Sequence, residues 1–469
     1  MKFPPFYCTI FILLLTTVTT LAQDYRDYPL KDFYTPDIKR RSLEFDLIGQ
    51  LEAEKEDKHL LKINQYSNFL SHINTRKTVS NLYITGSFFE KNAKQMDDYT
   101  DYQNFSGYIT VGYEEKKYIK PKFFLQYGLN GSTTINSTKE RRSEFDEEAG
   151  YGYIDVNHKA NQYVLGGNVH AGIGTGRIEN VTDARQALYI LEALSKNGRL
   201  RKHLSNDEVF QFAQLISSVK NKRFLDARLH QIEEITKVDS FLVSGDYLTT
   251  PDATYFTTLY DLWLYGDLFE RQSGKEFVIN SHYINYYSRN VITRNEIKLN
   301  PYETTSPSYS LSASFLYERP FHLSWQHSVE TSLSYRYRNE MKGDFKIKSI
   351  YLPVTYSLGY YPNTRTHLKL SIKEQLNRDL INRNTLIGDT RYKTKEEYCN
   401  FLSTLSLNAF YYVSPHLLLS AEAAANIIFS KYKTKEKQPD DPRSDDYLAP
   451  NSHSSWDSSI EFKATYKLF

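Results

Sequence analysis

The chain has 469 residues, with 58 Lys and Arg against 56 Asp and Glu, a formal net charge of +2. That balance gives no reason to expect nucleic acid as a partner. Mean hydropathy is −0.56, and beyond the N-terminus no apolar run approaches the length of a membrane helix, which excludes a helical membrane protein.

The first residues read as a secretory signal peptide over 1–22. Lys2 is the positive start, Phe6 to Leu15 the apolar stretch, and Thr20, Leu21 and Ala22 precede a cut ahead of Gln23. Cys8 lies inside the apolar stretch with no lipoprotein-type motif. The mature chain then keeps only Cys399, which cannot form an internal disulfide.

After a leading segment over 23–40, alternation with a period of two predicts strands near Ser42–Ala53, Leu60–Asn74, Thr78–Glu90, Asn104–Glu115, Lys122–Thr134 and Asn161–Thr175. Asn74 to Lys77 and Glu114 to Lys120 read as short turns, and a weak strand lies near Gly150–Val156. Gly172, Gly174 and Gly176 superficially resemble a phosphate loop but lack the Gly-Lys-Ser/Thr ending or a βαβ setting. At spacing two they share one strand face, where they let an aromatic ring or a plug lie close.

Between about Arg177 and Gly274 the period changes to 3.6. Ala184, Ala187, Leu188, Leu191 and Leu194 form one helical face, ended by Asn197 and Gly198. Ser205 to Glu208 is a capping box that opens a second helix carrying Val209, Phe210, Phe212, Ala213, Leu215, Ile216 and Val219. A third helix is expected near Phe224–Lys237 with Leu225, Leu229 and Ile232 inward, and a fourth near Asp252–Tyr265 with Phe256, Leu259 and Trp263 inward. The basic run from Lys196 to His203 reads as a solvated connector, with lipid phosphate or an acidic partner as the alternative.

The clearest strand pattern follows. Phe321, Leu323, Trp325, His327, Val329, Thr331, Leu333, Tyr335 and Tyr337 alternate with polar residues as far as Arg338. Soluble strands usually run five or six residues, whereas a strand crossing a bilayer needs roughly 9–11. Further alternating segments begin near Tyr309, Thr366 and Leu417, and the last runs from Trp456 to Phe469. Glu318 to Phe321, Tyr361 to Thr364 and Val413 to His416 read as short turns. Arg289 to Thr305, Asn339 to Phe345, Leu376 to Glu397 and Lys431 to Ser455 read as long polar loops. The total is about fourteen strands, with twelve or sixteen as alternatives. Asp440, Asp441, Asp445 and Asp446 in the last loop are a weak calcium signal without fixed spacing.

The signal peptide, the long two-faced strands, the short inner turns and the terminal Phe469 resemble a Gram-negative outer-membrane β-barrel protein of porin-like type. Phe469 is out of phase with Tyr466 and Phe462, a departure from the usual terminal spacing. The 39 Tyr and 27 Phe suit aromatic girdles. The resemblance implies an all-β transmembrane antiparallel up-and-down barrel with an α-helical periplasmic insert. Its parts are a periplasmic N-terminal segment at 23–40, barrel at 41–176, the insert at 177–274, and barrel again at 275–469. Parity places the insert on the short-turn, periplasmic side, as a plug or a partner-docking module. Outer-membrane lipid, lipopolysaccharide and the barrel-assembly machinery are the partners expected with it.

Charged residues assigned to the polar strand faces, Glu330, Arg336, Arg338, Lys369, Lys373, Glu374 and Glu422, are candidate lumen-lining groups that would tune selectivity. No His-Glu-x-x-His helix, Gly-x-Ser-x-Gly elbow or Cys/His cluster is present, so neither an enzyme nor a cofactor or metal is expected. The leading expectation is a channel or transporter for small solutes. The alternative is a non-transport barrel anchor whose insert binds an envelope or assembly partner.

Overall fold

A computed structural model describes residues 25–34, 37–54, 58–95, 100–146, 152–223, 230–266, 268–340, 345–387, 390–437 and 446–466. The stretch expected to be a signal peptide, Asp440, Asp441, Asp445, Leu225, Leu229 and Phe469 lie outside these residues.

One antiparallel sheet dominates. Its strands are β1 Ile38–Glu54, β2 Lys58–Asn74, β3 Thr78–Gln95, β4 Thr100–Lys120, β5 Phe123–Asp146, β6 Gly152–Asn180, β7 Gln272–Arg294, β8 Ile297–Lys298, β9 Tyr302–His322, β10 Trp325–Glu340, β11 Phe345–Tyr360, β12 Thr366–Ile387, β13 Thr390–Ser414, β14 Leu417–Lys437 and β15 Asp446–Tyr466. Every strand but β8 pairs with its sequence neighbour, and β8 only folds back on β7. Fourteen long strands therefore form an up-and-down meander. Among the described residues no ladder joins β1 to β15.

Several boundaries differ from the sequence expectation. Glu114 to Lys120 is strand, and the turn is Pro121 and Lys122, because Pro121 presets a turn dihedral and removes a ladder donor. Glu318 to Phe321 also belongs to a strand, and the turn falls at Leu323 and Ser324. Pro320 is tolerated because the β7 register ends at Glu318, so no neighbour on that side needs its missing N–H. Most of 289–305 and 376–397 is strand too. β7 runs to Arg294 and turns through Asn295 (φ 46°) and Glu296 (φ 69°), the left-handed pair of a tight hairpin. β12 and β13 stay paired as far as Ile387 and Thr390. Polar alternation sustains a hairpin as well as apolar alternation does, so strands continue past the oily stretch.

The four helices interrupt the meander between β6 and β7: α1 Thr182–Lys196, α2 Asn206–Lys220, α3 Gln231–Ser244 and α4 Ala253–Tyr265. No helix among the described residues is long and apolar enough to cross a membrane. The helices share a core in which Ala184, Ala187, Leu188, Leu191 and Leu194 are fully buried with Phe212, Ile216, Val238, Leu259 and Trp263. The capping box forms: the Ser205 N–H donates to Glu208 Oε2 at 2.7 Å, and the Glu208 N–H to Ser205 Oγ. Two expected inward residues point out. Ile232 is 84% exposed, because α3 starts at Gln231 and buries Val238 and Leu242, and Phe256 is exposed beside buried Tyr255 and Leu259. Tyr25, Leu30 and Phe33 of the leading segment join this core, with the Tyr25 hydroxyl accepting the Leu204 N–H at 3.0 Å.

Candidate functional site

Register divides the sheet into an apolar and a polar face. On β9, Thr304, Ser306, Ser308, Ser310, Ser312 and Ser314 fall on the polar one, and Ser312 and Ser314 lie opposite Ser334 and Ser332 of β10. Ser357 and Ser371 continue this hydroxyl wall, 2.9 Å apart between β11 and β12. Six of the seven predicted charged residues share the face. Glu330, Arg336 and Arg338 stand on β10, and Glu330 reaches Lys373 through Thr355. Lys369 lies across from Asn408, which faces Glu422. The seventh, Glu374, does not belong with them. It has the parity of Ile372 and Leu376 and lies opposite Val354 and Ser403, so it sits on the apolar face, where it accepts the Ser403 hydroxyl at 2.8 Å. Its adjacency to Lys373 hid a parity that a period of two makes decisive.

The inner glycines do what their spacing predicts. Phe124 is fully buried, and a Cβ on Gly174 would stand 2.2 Å from its ring. A Cβ on Gly172 would collide with Asn280, and Gly176 has φ +101°.

Helix α1 reveals how far the sheet curls. Asp183 near its start accepts from Arg40 on β1 at 2.8 Å, and Tyr189 donates to the Tyr361 carbonyl, at the end of β11, at 3.0 Å. In a flat sheet nine spacings of about 4.8 Å would separate β1 from β11 by about 43 Å. Six helical residues rise only about 9 Å. Side chains add roughly another 15 Å of reach, so the sheet must bend round until its ends approach one helix. Lys116 on β4 meets Glu276 on β7 at 2.5 Å, and Arg177 at the end of β6 donates to the Thr75 carbonyl at 2.9 Å, contacts that require the same curl.

All these anchors lie at the end of the sheet that carries the short turns, and the helices therefore stretch across it. Three polar clusters hold them. Asp183 also accepts from Ser217 Oγ at 2.6 Å and Lys220 Nζ at 2.9 Å. Burial opposes its ionisation, but Lys220 and Arg40 outweigh that and hold its carboxyl well below the usual range. Arg271, wholly buried, donates to the carbonyls of Leu323 at 2.6 Å and Trp325 at 2.8 Å and to Gln326 Oε1 at 2.6 Å. Burial, then the charge of Arg185, draws its guanidinium down to about 10. Arg365 in the β11–β12 turn pairs with Asp261 of α4. None of these was legible in the sequence, since each joins positions far apart in the chain.

Beside α2, a cavity of about 550 Å³ remains against the wall of β1 to β4 and β7, lined by Arg40, His72, Lys116, Lys220, Arg223 and Glu276. The basic run from Lys196 to His203 is largely used inside the insert. Lys196 pairs with Glu192, Arg199 with Asp252 and Arg201 with Asp246, while His203 stacks on Tyr25. Among the described residues no three His, Cys, Asp or Glu side chains are placed to hold a metal ion.

No protein-family model matches this chain, and no curated protein matches it in sequence. Among the solved structures that the chain is similar to, two share 7% and 10% identity with it. CdiB from Acinetobacter baumannii gives a TM-score of 0.27 over 85% of this chain and 66% of its own, so the chain spans slightly under two thirds of that protein. The outer membrane protease OmpT from Escherichia coli gives 0.14 over 92% of this chain and 96% of its own. Superpositions that loose transfer no activity.

Proposed function

We propose that the chain forms an outer-membrane β-barrel that conducts small solutes, with β1 and β15 closing the ring and the insert narrowing its periplasmic mouth. The observation that carries the reading is a meander of fourteen long strands that is apolar on one face and polar on the other, with helices stretched across its short-turn end. An apolar exterior suits lipid and a polar interior suits water. Closure would satisfy the edge donors and acceptors that a bilayer cannot. Fourteen strands fall between eight-stranded barrels filled by side chains and sixteen-stranded porins with open water, so a helical insert can restrict the remaining passage. The signal sequence read at the N-terminus supplies the export route.

Planar-bilayer conductance tests this. The full protein is expected to conduct weakly or intermittently, and a form with residues 182–266 replaced by a short flexible linker to conduct more and steadily. No conductance from either form would refute the channel. A second reading has its own support: Ile232, Val243, Phe256 and Tyr260 expose apolar surface on the insert, as a docking module on a non-transport barrel would. A silent insert-deleted barrel would favour that reading.

A further inference from the structure

The polar side of the sheet is divided into a neutral and a charged wall. His72 lies opposite Arg40, which reaches the insert from the concave side. On each of β2 to β7 the next four positions of that parity toward the long connections carry no charge, although 24% of the chain is charged. One register row runs Tyr66, Ser87, Tyr108, Thr134, Val164 and Ser288, and the row above it Asn64, Phe89, Ser106, Asn136, Gln162 and Asn290. The other two rows run from Asn68 to Tyr286 and from Leu70 to Ile284. Lys62 and Lys91 bound this area on one side and Glu114 on the other. With strands about 4.8 Å apart and same-face residues about 6.6 Å apart, it covers roughly 24 by 20 Å. The charges stand beyond the β9 serines, at Glu330, Arg336 and Arg338 on β10, Lys369 and Lys373 on β12, and Glu422 on β14.

The neutral wall is also ordered. Ser106 Oγ donates to Asn136 Oδ1 at 2.6 Å, Asn136 Nδ2 to Gln162 Oε1 at 3.0 Å, and Thr85 Oγ1 to Asn68 Oδ1 at 3.2 Å. Asn130 Nδ2 donates to the Tyr83 hydroxyl. Two tyrosine rings lean on glycines: a Cβ on Gly112 would stand 2.2 Å from the Tyr83 ring, and one on Gly166 2.8 Å from that of Tyr286. Tyr66, Tyr108 and Tyr286 remain exposed. Tyr66 and Tyr108 share a row two strands apart, about 10 Å.

We propose that this wall binds neutral carbohydrate as the substrate class of the channel, a deepening that rests on the channel reading above. Tyrosine joins an apolar ring face to a polar tip, and amides and hydroxyls both donate and accept. A pyranose is built to match, with a face of C–H groups that lies on an aromatic ring and a rim of hydroxyls that donate and accept. An ion would find no opposite charge here, and an apolar solute would leave the amides and hydroxyls without partners. A peptide backbone offers one donor and one acceptor per residue, fewer than this wall can use. Rings held against glycines and side chains already bonded to one another lose little freedom on binding.

The test uses the full-length protein in dodecyl-dimethylamine oxide, a detergent without a sugar headgroup. Calorimetric titration compares maltotriose, cellotriose and chitotriose with trigalacturonate, which adds a carboxylate to each ring, and with trialanine. At least one neutral trisaccharide is expected to bind with a Kd below about 1 mM and about tenfold or more tighter than trigalacturonate or trialanine. Y66A/Y108A is expected to lose about tenfold or more, and Y66F/Y108F to keep most of the affinity. Y309A/Y335A, on the apolar face of β9 and β10, should leave it unchanged. Each of four results overturns the proposal: no neutral trisaccharide binds, trigalacturonate binds equally, trialanine binds tighter, or Y66A/Y108A keeps full affinity. If Y66A/Y108A fails to fold, the ranking of the probes on the unmodified protein decides. Planar-bilayer conductance separates the two readings. A conducting protein that binds no trisaccharide overturns this inference alone. A protein silent with and without its insert that still binds one overturns the channel and supports the wall.

Discussion

Asp183→Asn isolates the contact that ties the insert to the sheet. Asp183 is the shared acceptor of Arg40, Ser217 and Lys220, and the side chains of Asp183 and Lys220 are 6% and 2% exposed. An amide keeps the shape but removes the charge, leaving a buried ammonium beside a neutral group. Removing one partner of a buried pair typically costs 3–5 kcal/mol. Arg40 is a third exposed and can turn to water, so the expected loss is near the lower end, about 3 kcal/mol. Because the pair joins α1 and α2 to β1, the loss should appear as release of the helices, not as unfolding of the sheet. The assay is urea titration of the detergent-solubilised protein, following fluorescence of Trp263, which is buried among the helices with its indole N–H on Glu234. With a slope near 2 kcal/mol/M, the helical transition should move down by about 1.5 M. Adding Lys220→Met should recover most of it, since the orphaned charge is gone. A single variant within about 0.5 kcal/mol of the unmodified protein, or a double variant no better than the single, would refute the reasoning. The pH dependence has a definite sign. A carboxyl held below its unfolded value contributes stability that is fully present above about pH 4 and is lost as pH falls through the depressed value. The Asn variant should lack that acid-side loss.

Ser205→Ala removes the side-chain half of the capping box and should cost α2 about 1 kcal/mol, measurable as faster amide exchange in its first turn. Gly174→Val places a branched side chain where the buried ring of Phe124 stands. It should reduce the heat-resistant folded band on semi-native gels and cost about 1–3 kcal/mol, with Phe124→Ala restoring part of it. A Val variant as stable as the parent would mean that the ring is free to leave.

Strand existence was legible because a period of two is a local property. The expected stretches from Ser42 to Ala53 and from Leu60 to Asn74 fall within β1 and β2. The first helix and the capping box were equally legible, since a periodic apolar face and a cap are read within one or two turns. Boundaries were less so. Glu318 to Phe321 looked like a turn because of Pro320, yet a proline costs little where one neighbour strand has already ended. Ile232 looked inward because the start of α3 could not be located from periodicity alone. Glu374 was misassigned by proximity to Lys373, although its parity with Ile372 was available in the sequence.

The sequence by itself determined two-faced strands, a block of four amphipathic helices and the order in which they occur, because alternation and helical periodicity depend only on near neighbours. Only the tertiary structure decided which residues hold the helices across the end of the sheet. Asp183 meets Arg40 across 143 positions of chain, and Tyr189 meets Tyr361 across 172. Such partners are chosen by curvature accumulated over many strands, a long-range geometric quantity that no local pattern encodes.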